Sequence, residues 1–246
     1  MKQTAKTLPA PLLRWAEERI GAVAAVRDAS HDWDRSRVWE LEGTGGVSWY
    51  LKVSPSEKFY LRESRAYRHV VPALGHTRAP QLVDCQARGD AEASLDAAAD
   101  GAEKYLARAR DRLTEDEWQL IRDHAARLRR VGPVPVGHIH GDNQPRNWMV
   151  FEGVLALIDF ERARPAACVQ DFIILTATQW ADHPDREKAF FRGYGRSLTD
   201  AERQALRCLT VLDAVNCLAW GPDNGDELVT ARVRRTLDRL MREERP

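Results

Sequence analysis

Residues 138–147 read "HIHGDNQPRN", and "LIDFE" follows at 157–161. Asp142, Asn147 and Asp159 are the residues in these stretches whose types suit chemistry. A carboxylate in a tight loop can take a proton from a substrate hydroxyl. An amide five residues later, at the start of a strand, can offer its oxygen to a hard cation. A second carboxylate at the end of the following strand can bind the same cation. Oxygen donors of this kind suit magnesium, which keeps several waters and accompanies nucleotide phosphates. A proton acceptor with two magnesium ligands is what phosphoryl transfer to an alcohol needs, because catalysis there is mostly positioning and charge neutralisation.

Elements must hold these groups. "NWMVFEG" and "VLALIDFE", split by a glycine turn, predict two strands around Asn147 and Asp159. Upstream, "PAPLLRWAEERIGAVAAV" predicts an amphipathic helix. "AVRDAS", "RSRVWELEG" and "VSWYLKVS" predict strands, the last two joined by "GTGG". "SEKFYLRESRAYRHVVPAL" predicts a helix capped by Ser56 and ending near Pro72. "APQLVDCQA" predicts one further strand, and residues 88–104, rich in alanine and aspartate, a linker or exposed helix. In "TEDEWQLIRDHAARLRR", Thr114 and Glu117 have capping-box spacing. Four helices are expected after residue 170, in "DFIILTATQW", "DREKAFFRGYG", "TDAERQALRCLTVLDAVNCLAW" and "DELVTARVRRTLDRLMREE". Strands first and helices after give an α+β fold of two lobes, divided as residues 1–87 and 88–246.

Composition narrows the function classes. The 246 residues are 43% hydrophobic and 30% charged, with 37 basic and 37 acidic side chains. That balance gives no support to a nucleic-acid partner. The four cysteines form no C-x-x-C pair, so they read as reduced apolar residues of a cytoplasmic protein. No stretch approaches the roughly 20 apolar residues of a membrane span. The N-terminal residues have no long apolar run, so no secretory signal is expected. Oligomeric state is left open.

"HGDNQPRN" followed by "LIDFE" resembles the H-G-D-x-x-x-x-N and I-D-[FW] motifs of the aminoglycoside phosphotransferase family, also called the phosphotransferase enzyme family. The resemblance implies a protein-kinase-like fold, with a small β-rich nucleotide lobe and a larger helical lobe for catalysis and substrate. It implies that Asp142 is the catalytic base, that His140 supports the loop, and that Asn147 and Asp159 bind Mg2+. Lys52, in "VSWYLKV", stands where such kinases carry the lysine that holds nucleotide phosphates, and Glu63, in "LRESRAY", where they carry its acidic partner. "EGTGGVSW" would lie over the phosphates, and Asp171, in "VQDFIIL", would prop the catalytic loop. The implied reaction moves the γ-phosphoryl group of ATP or GTP to a hydroxyl of a small molecule, an aminoglycoside or other antibiotic first among them. Asp182, Asp185, Asp213, Asp223, Asp226 and Glu227 are candidate acids for a cationic acceptor.

Two other readings stand beside this one. Residues 88–104 contain no apolar run for a nucleotide hinge, which leaves a non-catalytic, pseudokinase-like binding protein. "HIHGDN" also resembles the H-x-H-x-D-H zinc motif of metallo-β-lactamase-like hydrolases, with Asn143 in place of the last histidine. His124 is expected to pack or face solvent, and His138 to be a strand residue. Glu161 is expected at the surface or against metal or substrate, and Trp148 and Trp180 in the core.

Overall fold

The computed structural model describes residues 7–30, 36–74, 95–151 and 153–244. The strand expected in "APQLVDCQA" and the segment 88–94 lie outside the described residues. The chain forms two compact units, the first of which takes in the N-terminal elements together with Met149–Arg162.

In the first unit, helix α1 spans Ala10–Ile20 and strand β1 spans Val23–Asp28. Strands β2 (Arg37–Gly43) and β3 (Ser48–Val53) follow, and β1-β2-β3 form an antiparallel sheet in that order. Side chains alternate across a sheet with a period of two. Trp39, Leu41 and Leu51 therefore share one face and bury against Leu8 and Ala16 of the α1 region. Lys52, next to Leu51, points to the other face. Helix α2 (Glu57–His69) begins where the Ser56 hydroxyl accepts the Phe59 amide. Strands β5 (Trp148–Phe151) and β6 (Val154–Leu157) form a hairpin. A short turn at Phe160–Arg162 then packs on α2, where Phe160 meets Tyr67 edge to face at 5.4 Å.

The second unit is built on helices. They are α3 (Leu95–Arg108), α4 (Glu115–Leu128), α5 (Ile173–Ala177), α6 (Pro184–Tyr194), α7 (Asp200–Trp220) and α8 (Glu227–Glu244). α7 is apolar on most of its circumference, as a central helix must be, and Leu209, Val211, Val215 and Leu218 are buried. α4 and α7 start with full capping boxes, Thr114 with Glu117 and Thr199 with Glu202. Phe172, Trp180, Phe190, Phe191 and Tyr194 pack ring against ring. Two four-residue strands, β4 (Val136–Ile139) and β7 (Arg164–Ala167), pair antiparallel.

Several expectations need correction. The first helix stops at Ile20, because Gly21 takes φ 84° and the following residues join the sheet. Residues 95–104 are neither linker nor exposed helix. They belong to α3, whose Ala99, Ala102 and Leu106 are buried in the second unit's core. "DFIILTATQW" forms one short α-helix after a 3-10 turn at Cys168–Phe172, not a continuous helix. Among the described residues, Cys168, Cys208 and Cys217 form no disulfide. Among the described residues, no helix is long and apolar enough to cross a membrane.

Candidate active site

Strand β4 ends at Ile139 and delivers His140 to the loop. Gly141 turns the chain at φ 78°, a conformation that favours glycine. That turn aims two consecutive amides at one carboxylate: His140 N–H donates to Asp171 Oδ2 at 2.8 Å and Gly141 N–H to Oδ1 at 2.7 Å. Burial raises the Asp171 pKa, and the two amides pull against it. Asp171 thus fixes the loop by its backbone. The Asp142 amide donates to His140 Nδ1 at 3.3 Å, so the histidine accepts at that nitrogen and braces the turn.

Asp142 is buried, and its carboxylate is well supplied with donors. Gln144 Nε2 donates to Oδ1 at 2.6 Å, and Arg146 Nη2 and Asn147 Nδ2 donate to Oδ2 at 2.8 and 3.1 Å. Asn147 ends a 3-10 turn at Pro145–Asn147, and its Nδ2 also reaches the Asp142 main-chain oxygen at 2.8 Å. With its nitrogen engaged in this way, the amide oxygen is the atom of Asn147 suited to a hard cation.

The first unit gathers a second group around one ammonium. Lys52 Nζ lies 3.1 Å from Glu63 Oε1, 2.5 Å from Asp159 Oδ1 and 3.3 Å from Glu161 Oε2. Burial works against the charged lysine, but Glu63, Asp159 and Glu161 outweigh it and raise its pKa above the ordinary value. Burial raises the Glu63 pKa, against the opposing pull of Lys52. Asp159 lies two residues beyond β6, not at its end, and takes φ 64°. A non-glycine residue there is uncommon, and aspartate is among the few that tolerate it. Ser36 donates its hydroxyl to Glu161 Oε2 at 2.6 Å.

Every residue singled out for the site is therefore placed. Lys52, Glu63 and Asp159 meet in one unit, and His140, Asp142, Asn147 and Asp171 meet in the other. Sequence reasoning gave no role to Gln144, Arg146 or Ser36. The first two lay within the quoted loop, and a basic residue four after a buried acid was the available signal. "EGTGG" forms a tight hairpin turn in which Gly43 N–H donates to the Val47 carbonyl. Of the acids considered for a cationic acceptor, Asp223 is paired with Arg108 and Arg112, and Asp226 accepts the Val229 amide in the first turn of α8.

Three observations bear on the zinc reading. Asn143 Oδ1 accepts the Trp148 indole N–H at 2.8 Å. His138 is exposed on β4, while His140 is buried. Among the described residues, no group of three or more His, Cys, Asp or Glu is arranged to hold a metal ion. His124 is fully buried, and Trp180 lies in the core.

A model of the phosphotransferase enzyme family matches residues 86–209. No curated protein matches the chain by sequence. Among solved structures, the chain is similar to a thermostable mutant of aminoglycoside phosphotransferase APH(4)-Ia in ternary complex with ADP and hygromycin B. Identity is 14% and the TM-score 0.64, over 96% of this chain and 100% of that one. It is similar to the GDP complex of aminoglycoside 2'-phosphotransferase-IIIa at 13% identity and TM-score 0.62, over 96% and 98% of the two chains. It is also similar to macrolide 2'-phosphotransferase type I at 12% identity and TM-score 0.59, over 96% and 99%. At these identities the likeness is one of fold: a strand-rich N-terminal part and a larger helical part.

Proposed function

The chain belongs to the phosphotransferase enzyme family, and from that premise we propose that it moves the γ-phosphoryl group of ATP or GTP to a hydroxyl of a small molecule, an aminoglycoside or another hydroxylated antibiotic. It is an enzyme of kinase-like fold. The zinc hydrolase reading falls with that membership. The observation that carries the proposal is Lys52 held among Glu63, Asp159 and Glu161, acids that lie 11, 107 and 109 positions away in sequence. A lysine fixed by acids suits a polyanionic phosphate chain.

In this reading, Lys52 binds the nucleotide phosphates and Glu63 fixes its direction. Asp142 orients the acceptor hydroxyl and takes its proton. The acceptor oxygen forms a bond to the γ-phosphorus, and the bond from that phosphorus to the β–γ bridging oxygen breaks. The electron pair leaves on the nucleoside diphosphate, and the acceptor proton ends on Asp142. His140 and Asp171 keep the loop from shifting as this happens. The amide oxygen of Asn147 and the carboxylate of Asp159 fit the hard donor set of magnesium, which needs few protein ligands beside phosphate and water. A bound magnesium ion would neutralise phosphate charge.

The test is a transfer assay with γ-labelled ATP and GTP over a panel of aminoglycosides, macrolides and other hydroxylated antibiotics. Label recovered on an acceptor is the expected result. Transfer to none of them, with either nucleotide, contradicts the proposed acceptor class.

A further inference from the structure

We propose that Glu161, oriented by the Ser36 hydroxyl, is a positioning residue that keeps Lys52 aimed when nucleotide binds. The inference rests on the reading of Lys52 as the phosphate-binding group, and every residue in it belongs to the first unit. A lysine ammonium is a compact charge on a long, flexible stem, so one partner does not fix its direction. Lys52 Nζ donates to Glu63 Oε1 at 3.1 Å and to Asp159 Oδ1 at 2.5 Å. Asp159 is also the carboxylate assigned to magnesium. Once its charge serves a cation, Lys52 needs an acid besides Glu63.

Glu161 supplies that acid. Its Oε2 lies 3.3 Å from Lys52 Nζ, and the same oxygen accepts the Ser36 hydroxyl at 2.6 Å. Ser36 is 5% exposed, and the Lys52 and Glu161 side chains are 21% and 18% exposed. An exposed ion pair contributes little, because water screens it and two long side chains must be ordered to form it. This pair is largely shielded from water, and Ser36 does part of the ordering. A short side chain that loses little freedom on folding holds the longer one. A hydroxyl donating to a carboxylate also favours its charged form. The ammonium is thus held from two elements, by Glu63 of α2 and by Glu161 of the Phe160–Arg162 turn. That turn itself packs on α2 through Phe160 and Tyr67. The sign of one substitution separates this role from its opposite. If Glu161 were only surplus negative charge beside a polyanion, its neutral isostere would bind nucleotide more tightly. If it aims Lys52, the isostere binds more weakly.

The test measures binding of ADP and GDP by titration calorimetry in magnesium buffer, and nucleotide KM and kcat by transfer assay. It compares the parent protein with Glu161→Gln, Ser36→Ala and the double variant. Glu161→Gln is expected to raise the nucleotide Kd about tenfold, the scale of one lost charged partner. Ser36→Ala should raise it about threefold, the scale of one hydrogen bond. KM should rise with Kd while kcat stays within about twofold, the mark of lost binding rather than lost chemistry. Each single variant should keep its Tm within about 4 °C of the parent. The double variant should bind as Glu161→Gln does, because Ser36 acts through Glu161. A Glu161→Gln protein that binds nucleotide as tightly as the parent, or more tightly, overturns the proposal. So does a Ser36→Ala protein with parental Kd, or a Ser36→Ala loss that adds in full to that of Glu161→Gln, since either detaches Ser36 from Glu161. A parent protein that binds neither nucleotide overturns both this proposal and the function beneath it, whereas a nucleotide-binding parent with an indifferent Glu161 overturns this one alone.

Discussion

At the scale of single residues, Asp159 combines an uncommon backbone with a charge shared by Lys52. Its φ of 64° is open to asparagine as well as aspartate. Asp159→Asn should therefore fold, with its Tm within a few degrees of the parent, while transfer falls by at least about 100-fold. Circular dichroism melts beside the transfer assay check both halves, and retained transfer removes Asp159 from the proposed magnesium site. Asp142, Asn147 and Asp159 could be picked from sequence because their types and spacing are demanded by chemistry. The donors around them were harder to see. Gln144 and Arg146 act through side-chain direction, which a loop containing Gly141 and Pro145 does not reveal until it is folded. Ser36 reaches Glu161 across 125 positions, and only the fold supplies that neighbour.

At the scale of elements, local chemistry that repeats along the chain was legible. Ser56, Thr114 and Thr199 each start a helix. Thr199→Ala should cost about 1 kcal/mol. The cap has a pH signature as well. Arg196 hydrogen-bonds Glu202 and holds its pKa down to about 2, with the Thr199 amide and hydroxyl helping and burial opposing. The folded protein therefore binds this proton less readily than the unfolded chain does. The resulting stability is complete above the ordinary glutamate value of 4.5 and is lost as the pH falls from there toward 2. Glu202→Gln should flatten the dependence of Tm on pH in that window, and an unchanged slope would refute the assignment. Elements set by tertiary contact were not legible. β4 and β7 have four residues each and no clear alternation, so their pairing makes them strands. α3 looked like a linker because alanines carry little apolar signal. Their small size is what lets helices approach closely in that core.

At the scale of the whole molecule, order along the chain predicted the architecture: strands first, helices after, with the reactive loop and a strand pair between. The same sequence did not show that Met149–Arg162 would group with the N-terminal strands, because contacts such as that of Phe160 with Tyr67 of α2 are supplied only by the fold. A nucleotide that binds only the folded protein must stabilise it, by about 2.7 kcal/mol at a hundredfold excess over Kd. ATP or GTP with magnesium should therefore raise the Tm by several degrees. The absence of a shift with either nucleotide would favour a non-catalytic binding protein. The most direct measurement of the central claim is transfer of labelled γ-phosphate to acceptor by the parent protein and by Asp142→Ala, side by side. The expected result is transfer by the parent and a loss of roughly 100- to 10,000-fold in the variant, the range of general-base catalysis. Near-parental transfer by a folded Asp142→Ala protein would contradict it.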